Sequence, residues 1–329
     1  MGLAAAGVVT LALAGVVMVR VISGAGPADS AASPLAAQRE IDDAIRLAKQ
    51  RLLEKRPADA EAILRDAVDR HGADPDLRIA LGQALLTLNR PRDAYEQYNE
   101  AIGLSPDSAE MQYAAGTIAS VAGMPERAEA HYQTAQAMAP GNPKYALGVG
   151  VIDLKLGKID EARASLIRAV TLAPDLAVAW GALADLSLTE NRLEMADHYV
   201  SKALALEPDS PHWRLIRARI LRRRGEPEQA AVMLAALSDE SSEPDPMILR
   251  ERALCLGLLG RQKEAASLYD QACAIAHQDP STLAKLNYEA ALWHERLGET
   301  DLAARYAAAA VKLGDARAQR VVDRLAQGG

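Results

Sequence analysis

Residues 214–225 read RLIRARILRRRG and gather Arg214, Arg217, Arg219, Arg222, Arg223 and Arg224 into one short stretch. A guanidinium is a planar fork of donors whose geometry matches carboxylates and phosphates. At about 100° of rotation per helical residue, Arg219, Arg222 and Arg223 fall toward one side and Arg214, Arg217 and Arg224 lie on another. The first group has the chemistry to grip an acidic segment of another protein. The plainer alternative is a solvated helix whose arginines pair locally with Glu226 or Glu228. A net charge of −7 and a pI near 5.5 argue against nucleic acid as the main partner, because phosphate binding wants a basic surface.

No other constellation points to a reaction. His71, His131, His198, His212, His277 and His294 are scattered without metal-site spacing, and His131 and His294 read as surface or groove residues of helices. There is no Gly-rich phosphate loop and no GxSxG elbow. Cys255 and Cys273 are too few for a disulfide framework, and both fall in apolar helical stretches, which predicts buried free thiols. Acidic pairs arise by chance in a helical chain that is 25% charged. The expectation is therefore no catalytic residue, no metal, no cofactor and no small-molecule substrate.

The elements that carry these residues must be built largely without aromatics. Half of the 329 residues are hydrophobic, but only 4% are aromatic and none is Phe, so Ala, Leu, Val and Ile make the core. The N-terminus differs from the rest. Residues 2–19 carry no charge, and a helix of that length spans ~27 Å, close to a hydrocarbon core, with Arg20 placed to snorkel. Residues 1–22 therefore read as a transmembrane anchor, with membrane contact through residues 2–22. The competing reading is a signal segment cleaved after Ser23-Gly24-Ala25. Residues 23–40 read as a flexible linker. Arg20, the one nearby side-chain cation, taken alone would hold the C-terminal side in the cytoplasm, whereas a very short N-terminal tail stays inside more simply and exports the remainder.

Beyond the linker one pattern returns. AYEQYNEAIGLSP, AEAHYQTAQAMAP, ARASLIRAVTLAP and ADHYVSKALALEP start 34 residues apart, and so do the closing Pro106, Pro140, Pro174 and Pro208. Laid out at that period, residues 41–317 give about eight units, beginning near 41, 75, 109, 143, 177, 211, 246 and 284. Each holds two helical patterns around a break at Asn89, Gly123, Gly157, Asn191, Gly225, Gly260 or Gly298. Small residues recur as regularly as large ones. Gly82, Gly116, Gly150 and Ala184 share one place in the first helices, while Ala94, Ala128, Ala162 and Ala196, then Ala101, Ala135, Ala169 and Ala203, recur in the second. Glycine inside a helix costs about 1 kcal/mol relative to alanine, so its recurrence predicts a neighbouring helix in close approach.

Leu81-Gly82, Leu85, Ala94, Tyr98, Ala101 and Pro106 resemble the tetratricopeptide repeat, as do Trp180, Leu183, Ala184, Ala196, Ala203 and Pro208. The resemblance implies an all-α fold, a right-handed superhelical solenoid of about eight antiparallel helix pairs over 41–317; the uncharged run 2–19 reads as one N-terminal hydrophobic helix preceding it. Residues 318–329 would be a C-terminal capping helix and tail. It also implies that positions two, five, nine and twelve of each first helix face a groove that holds segments of other proteins. In units three to five these are Tyr113, Thr117, Leu147, Val151, Leu154, Asp185 and Leu188; in unit six Arg219 and Arg222 join them, with Arg223 alongside. The Lys/Asn clamp by which some members hold a chaperone's C-terminal carboxylate is not implied, since Ile45, Lys49, Ala80, Glu110 and Ala114 occupy its places and only Lys49 suits it.

The function so implied is a membrane-tethered protein-interaction scaffold. It would serve a bacterial cell-envelope assembly such as a secretion, pilus, cytochrome-maturation or polysaccharide-export apparatus. It would sit in the inner membrane with its solenoid in the periplasm. The alternatives are a soluble exported adaptor after signal cleavage, or a regulatory subunit of an enzyme complex.

Overall fold

The computed structural model describes residues 34–240, 244–276 and 279–327; the expected membrane anchor or signal segment lies outside them. Among the described residues there are 17 helices and no strand, and no helix is long and apolar enough to cross a membrane. The first helix, α1 (Pro34–Leu53), turns back into α2 (Pro57–His71). Four pairs follow in strict period: α3 (Pro75–Thr87) with α4 (Pro91–Leu104), α5 (Ala109–Val121) with α6 (Pro125–Met138), α7 (Pro143–Leu156) with α8 (Ile159–Leu172), and α9 (Ala177–Thr189) with α10 (Leu193–Leu206). Three more pairs, α11 (Pro211–Arg223) with α12 (Pro227–Glu240), α13 (Pro246–Leu258) with α14 (Gln262–Ile275), and α15 (Pro280–Arg296) with α16 (Thr300–Lys312), lead to the closing helix α17 (Ala316–Gln327). Residues 34–40, expected as the end of the linker, are the first turns of α1, and the rest of the expected linker lies outside the described residues.

Local chemistry fixes where each helix starts and stops. Asp74, Ser108, Asn142, Asp245 and Asp279 cap first helices by accepting a backbone N–H in the first turn. Proline opens many helices, where its missing N–H needs no partner. The turn inside each pair needs one left-handed residue. It is Asn89, Gly123, Gly157, Asn191, Gly225, Gly260 and Gly298 as expected, and Lys55 in the first pair, where the residue type gave no signal.

The packing bears out the small-residue reading. A Cβ on Gly82 would lie 2.7 Å from the Tyr98 ring, one on Gly116 2.8 Å from Tyr132, and one on Gly150 2.7 Å from Leu166. Where the facing residue shrinks to Val200, Ala184 is accommodated, and both are fully buried. Ala94, Ala101, Ala128, Ala135, Ala162, Ala169, Ala196 and Ala203 have no exposed surface. Successive pairs then share core. First helices also touch first helices of adjoining pairs (α1 with α3, α5 with α7, α7 with α9, α9 with α11, α11 with α13), which puts them along the inner side of the stack.

One junction position carries polar groups. Leu85, Ala119 and Leu256 are buried there; Asp153 and His294 occupy the same place in their repeats. Asp153 is 2% exposed, with one carboxyl oxygen lacking a hydrogen-bond partner. Burial pushes its pKa up to about 6, Glu129 and Glu161 add to the rise, and Lys158 opposes it. His294, expected at a surface or groove, is instead 3% exposed and bridges Glu299 at 2.6 Å and Asp270 at 2.9 Å, stacked on Tyr306. Burial lowers its pKa, but the two carboxylates outweigh that and leave it raised.

These features give two expectations. Gly116→Val should destabilise the fold by ~1–3 kcal/mol through overpacking. Gly116→Ala with Tyr132→Val, which copies Ala184 and Val200, should lose less than the sum of its single changes in urea unfolding; simple additivity would show that this contact does not set helix spacing. Protonation should favour the fold at both buried junctions. An aspartate whose folded pKa is raised penalises the fold increasingly as pH climbs from its unfolded value to about 6. Asp153→Asn should therefore raise the melting temperature at neutral pH, by an increment that shrinks toward about pH 4. The His294 contribution is complete below its unfolded pKa and lost as pH rises through the raised folded value, so His294→Gln should destabilise more at about pH 6 than at about pH 9.

Candidate functional site

The inner face is built from the first helices, and its middle is apolar and aromatic. Tyr113 on α5 is wedged between Tyr132 and Tyr145, with ring centroids 5.3 and 5.2 Å away. Gly148 on α7 makes room, since a Cβ there would come within 3.0 Å of Tyr132 and 3.1 Å of Tyr113. Thr117 donates to the Tyr113 carbonyl at 3.0 Å and accepts from the Tyr132 hydroxyl at 3.2 Å. Burial pushes the Tyr132 phenol up to about 12, so it stays a neutral donor. Leu147, Val151 and Leu154 on α7 and Asp185 on α9 are half-buried, as groove positions should be. Leu188 is not available: it is 4% exposed, packed with Val200 and Ile216 between α10 and α11. Its end of the groove is floored by the following repeat, because Trp213 fills the space that Gly181 leaves empty. Trp293 does the same at Gly257.

The arginine stretch is held differently from its expected local pairing. Glu226 and Glu228 take no part. Arg219 and Arg222 reach from α11 to Glu251 on α13, at 3.2 and 3.1 Å. Arg223 donates to the Leu188 carbonyl. On the other side Arg214 pairs with Glu240, Arg224 with Glu194 and Asp197, and Arg217 lies 4.0 Å from Asp197. The Glu251 carboxylate is 4% exposed and also meets Arg250 at 3.0 Å. Arg250 in turn grips both oxygens of Glu289 on α15, at 2.6 and 2.7 Å. These side chains join α11, α13 and α15 across the inner face, in a chain of charge-assisted bonds that leaves Glu251 buried but matched.

Glu251, Arg250 and Glu289 were not singled out in the sequence. The counting rule that picked Arg219 reaches Arg250 at position five of unit seven, so that signal was present; the glutamates follow at position six of units seven and eight. What hid them was distance along the chain, since Arg250 and Glu289 are separated by a whole repeat. Among the described residues no group of three or more His, Cys, Asp or Glu side chains is arranged to hold a metal. Cys255 and Cys273 are free thiols, the first buried and the second partly so; burial pushes them to about 11 and about 12.

The tetratricopeptide repeat profile matches residues 55–104, 79–143, 190–246 and 217–280, and a second profile of the same repeat matches 122–186. No curated protein matches the chain. A tetratricopeptide repeat protein of Parabacteroides merdae has a crystal structure that superposes with a TM-score of 0.66 at 15% identity, covering 75% of this chain and 97% of that one. A chain of the APC/C hetero-tetramer Cut9–Hcn1 gives 0.63 at 14% identity, over 86% of this chain and 55% of that one. PilW, a type IV pilus biogenesis factor, gives 0.53 at 22% identity, over 61% and 93%. The profile matches span most of the described helices, and the solved neighbours share their stacking; the chain belongs to the tetratricopeptide repeat family.

Proposed function

We propose that this chain is a membrane-tethered scaffold whose inner face binds polypeptide segments of other proteins and helps assemble a bacterial cell-envelope complex. The repeat fold serves protein–protein interaction, and its members are generally non-enzymatic scaffolds. The observation that carries the reading here is the half-buried surface of Tyr113, Thr117, Leu147, Val151 and Leu154 on two adjoining first helices. It offers apolar area and a fixed hydroxyl to an extended or helical segment. Asp185 bounds it, and the arginines beyond bias the far end toward acidic residues. The tether is the uncharged run 2–19, with the solenoid on the periplasmic side of the inner membrane. In this reading the chain works without catalysis; its two thiols are protonated at neutral pH and so poorly nucleophilic.

A soluble exported adaptor is the second reading, favoured by Ser23-Gly24-Ala25. Sequencing the mature N-terminus separates the two: the intact start in the membrane fraction supports the tether, and a start near Gly26 supports release.

The groove itself is tested by photocrosslinking. A benzoylphenylalanine at Leu147 should capture discrete polypeptides that the same group at Lys202, exposed on α10, does not. Val151→Asp, placing a carboxylate in the apolar patch, should reduce that capture about tenfold while leaving the fold intact. Equal capture at Leu147 and Lys202 would remove the groove from the account.

A further inference from the structure

The network along α11, α13 and α15 does not balance. Two carboxylates serve it, Glu251 and Glu289. Glu251 is shared among Arg219, Arg222 and Arg250, and both oxygens of Glu289 are taken by Arg250. Lys285 stands one helical turn before Glu289 on α15, at the spacing where a lysine and a glutamate ordinarily pair. Its usual partner is occupied, and it has no hydrogen bond or ion pair among the described residues although it is half-buried. Arg317, held by Asp315, lies over the Tyr288 ring one turn further along. Burial lowers the Lys285 pKa, and the charges of Arg250 and Arg317 lower it further against the opposing pull of Glu289 and Glu251.

The surroundings are not purely basic. Leu254 on α13 and Tyr288 and Leu292 on α15 are half-buried on the same face, at positions nine, five and nine of their units. We infer that the inner face of the last three repeats is a binding site for an acidic segment of a partner polypeptide, one that alternates carboxylate and apolar side chains, with Lys285 as the cation that completes its pairing only when the segment is bound. This rests on the reading that the inner face takes polypeptides, and it adds the chemistry of the segment and the place where it docks. Charge complementarity selects carboxylates, and Leu254, Tyr288 and Leu292 select a peptide over a nucleic acid. The acidic remainder of the surface repels a long polyanion.

The test is fluorescence anisotropy on the full chain with a labelled peptide of alternating glutamate and leucine, and with its glutamine–leucine counterpart. The glutamate peptide should bind about tenfold or more tightly than the glutamine one at low ionic strength, and the difference should shrink with added salt. Lys285→Gln should weaken it about tenfold, and Lys285→Arg should stay within about threefold of the parent. Because Lys285 has no partner to strand, its removal should leave the melting temperature unchanged. Lys263→Gln, an equal charge change on the exposed side of α14, should leave binding unchanged. The inference falls if Lys285→Gln binds like Lys263→Gln, if the two peptides bind alike, or if a single-stranded oligonucleotide displaces the glutamate peptide at lower concentration than unlabelled peptide does. Should it fall while the Leu147 crosslinks persist, the groove stands and only the acidic segment is lost; failure of both removes the groove as well.

Discussion

Everything in this architecture depends on one close contact repeated along the stack. A residue with little or no side chain on the first helix meets a large residue on the second, as Gly82 meets Tyr98 and Gly150 meets Leu166. The same place is Ala48, Ala184, Ala218, Ala253 and Ala291 elsewhere, all essentially without exposed surface. The contact fixes how far apart the two helices of a pair lie. Interiors are packed like crystals, so that spacing cannot drift, and each pair presents the next with a nearly identical surface. A chain without a single Phe can still build a long core this way, because alanine against leucine at short distance excludes water as well as larger residues do at longer distance.

Uniform spacing frees the other positions to differ. The junction position shows this in miniature: Leu85, Ala119 and Leu256 are ordinary core, whereas Asp153 and His294 are buried ionisable groups. His294 is matched on both nitrogens, while Asp153 keeps an unpaired oxygen. The fold tolerates Asp153 because neighbouring contacts over-determine the helix on which it sits. The arginine network likewise links helices whose spacing was already set. Desolvating Glu251 offsets much of what its three guanidinium partners contribute to stability.

The period made most of the fold legible. Four frames without insertion placed helices, breaks and shared core within a few residues, because steric demands at Gly, Asn and Pro recur where the backbone recurs. Lys55 escaped notice because left-handed geometry there is imposed by context instead of residue type. The site was less legible for a different reason. Helical counting gives the direction in which a side chain leaves its own helix, and Tyr113, Thr117, Leu147 and Val151, chosen that way, are half-buried. It does not give what arrives from the next repeat. Leu188 points inward by count but is covered by α10 and α11, and Glu251 arrives at Arg219 from the following repeat. Cross-repeat partners are set by superhelical geometry, which no single window of sequence contains.

The inner face is therefore graded along its length. At α5 and α7 it is aromatic and aliphatic, with hydroxyls fixed by Thr117. At α11, α13 and α15 it is cationic over a floor that includes Leu254 and Leu292. In the proposed reading, a segment long enough to touch both carries its apolar and acidic residues at a distance that matches the two regions. Such a partner gains from each end without losing entropy twice, because docking one end raises the effective concentration of the other. In that reading, selectivity resides in the spacing between the two regions.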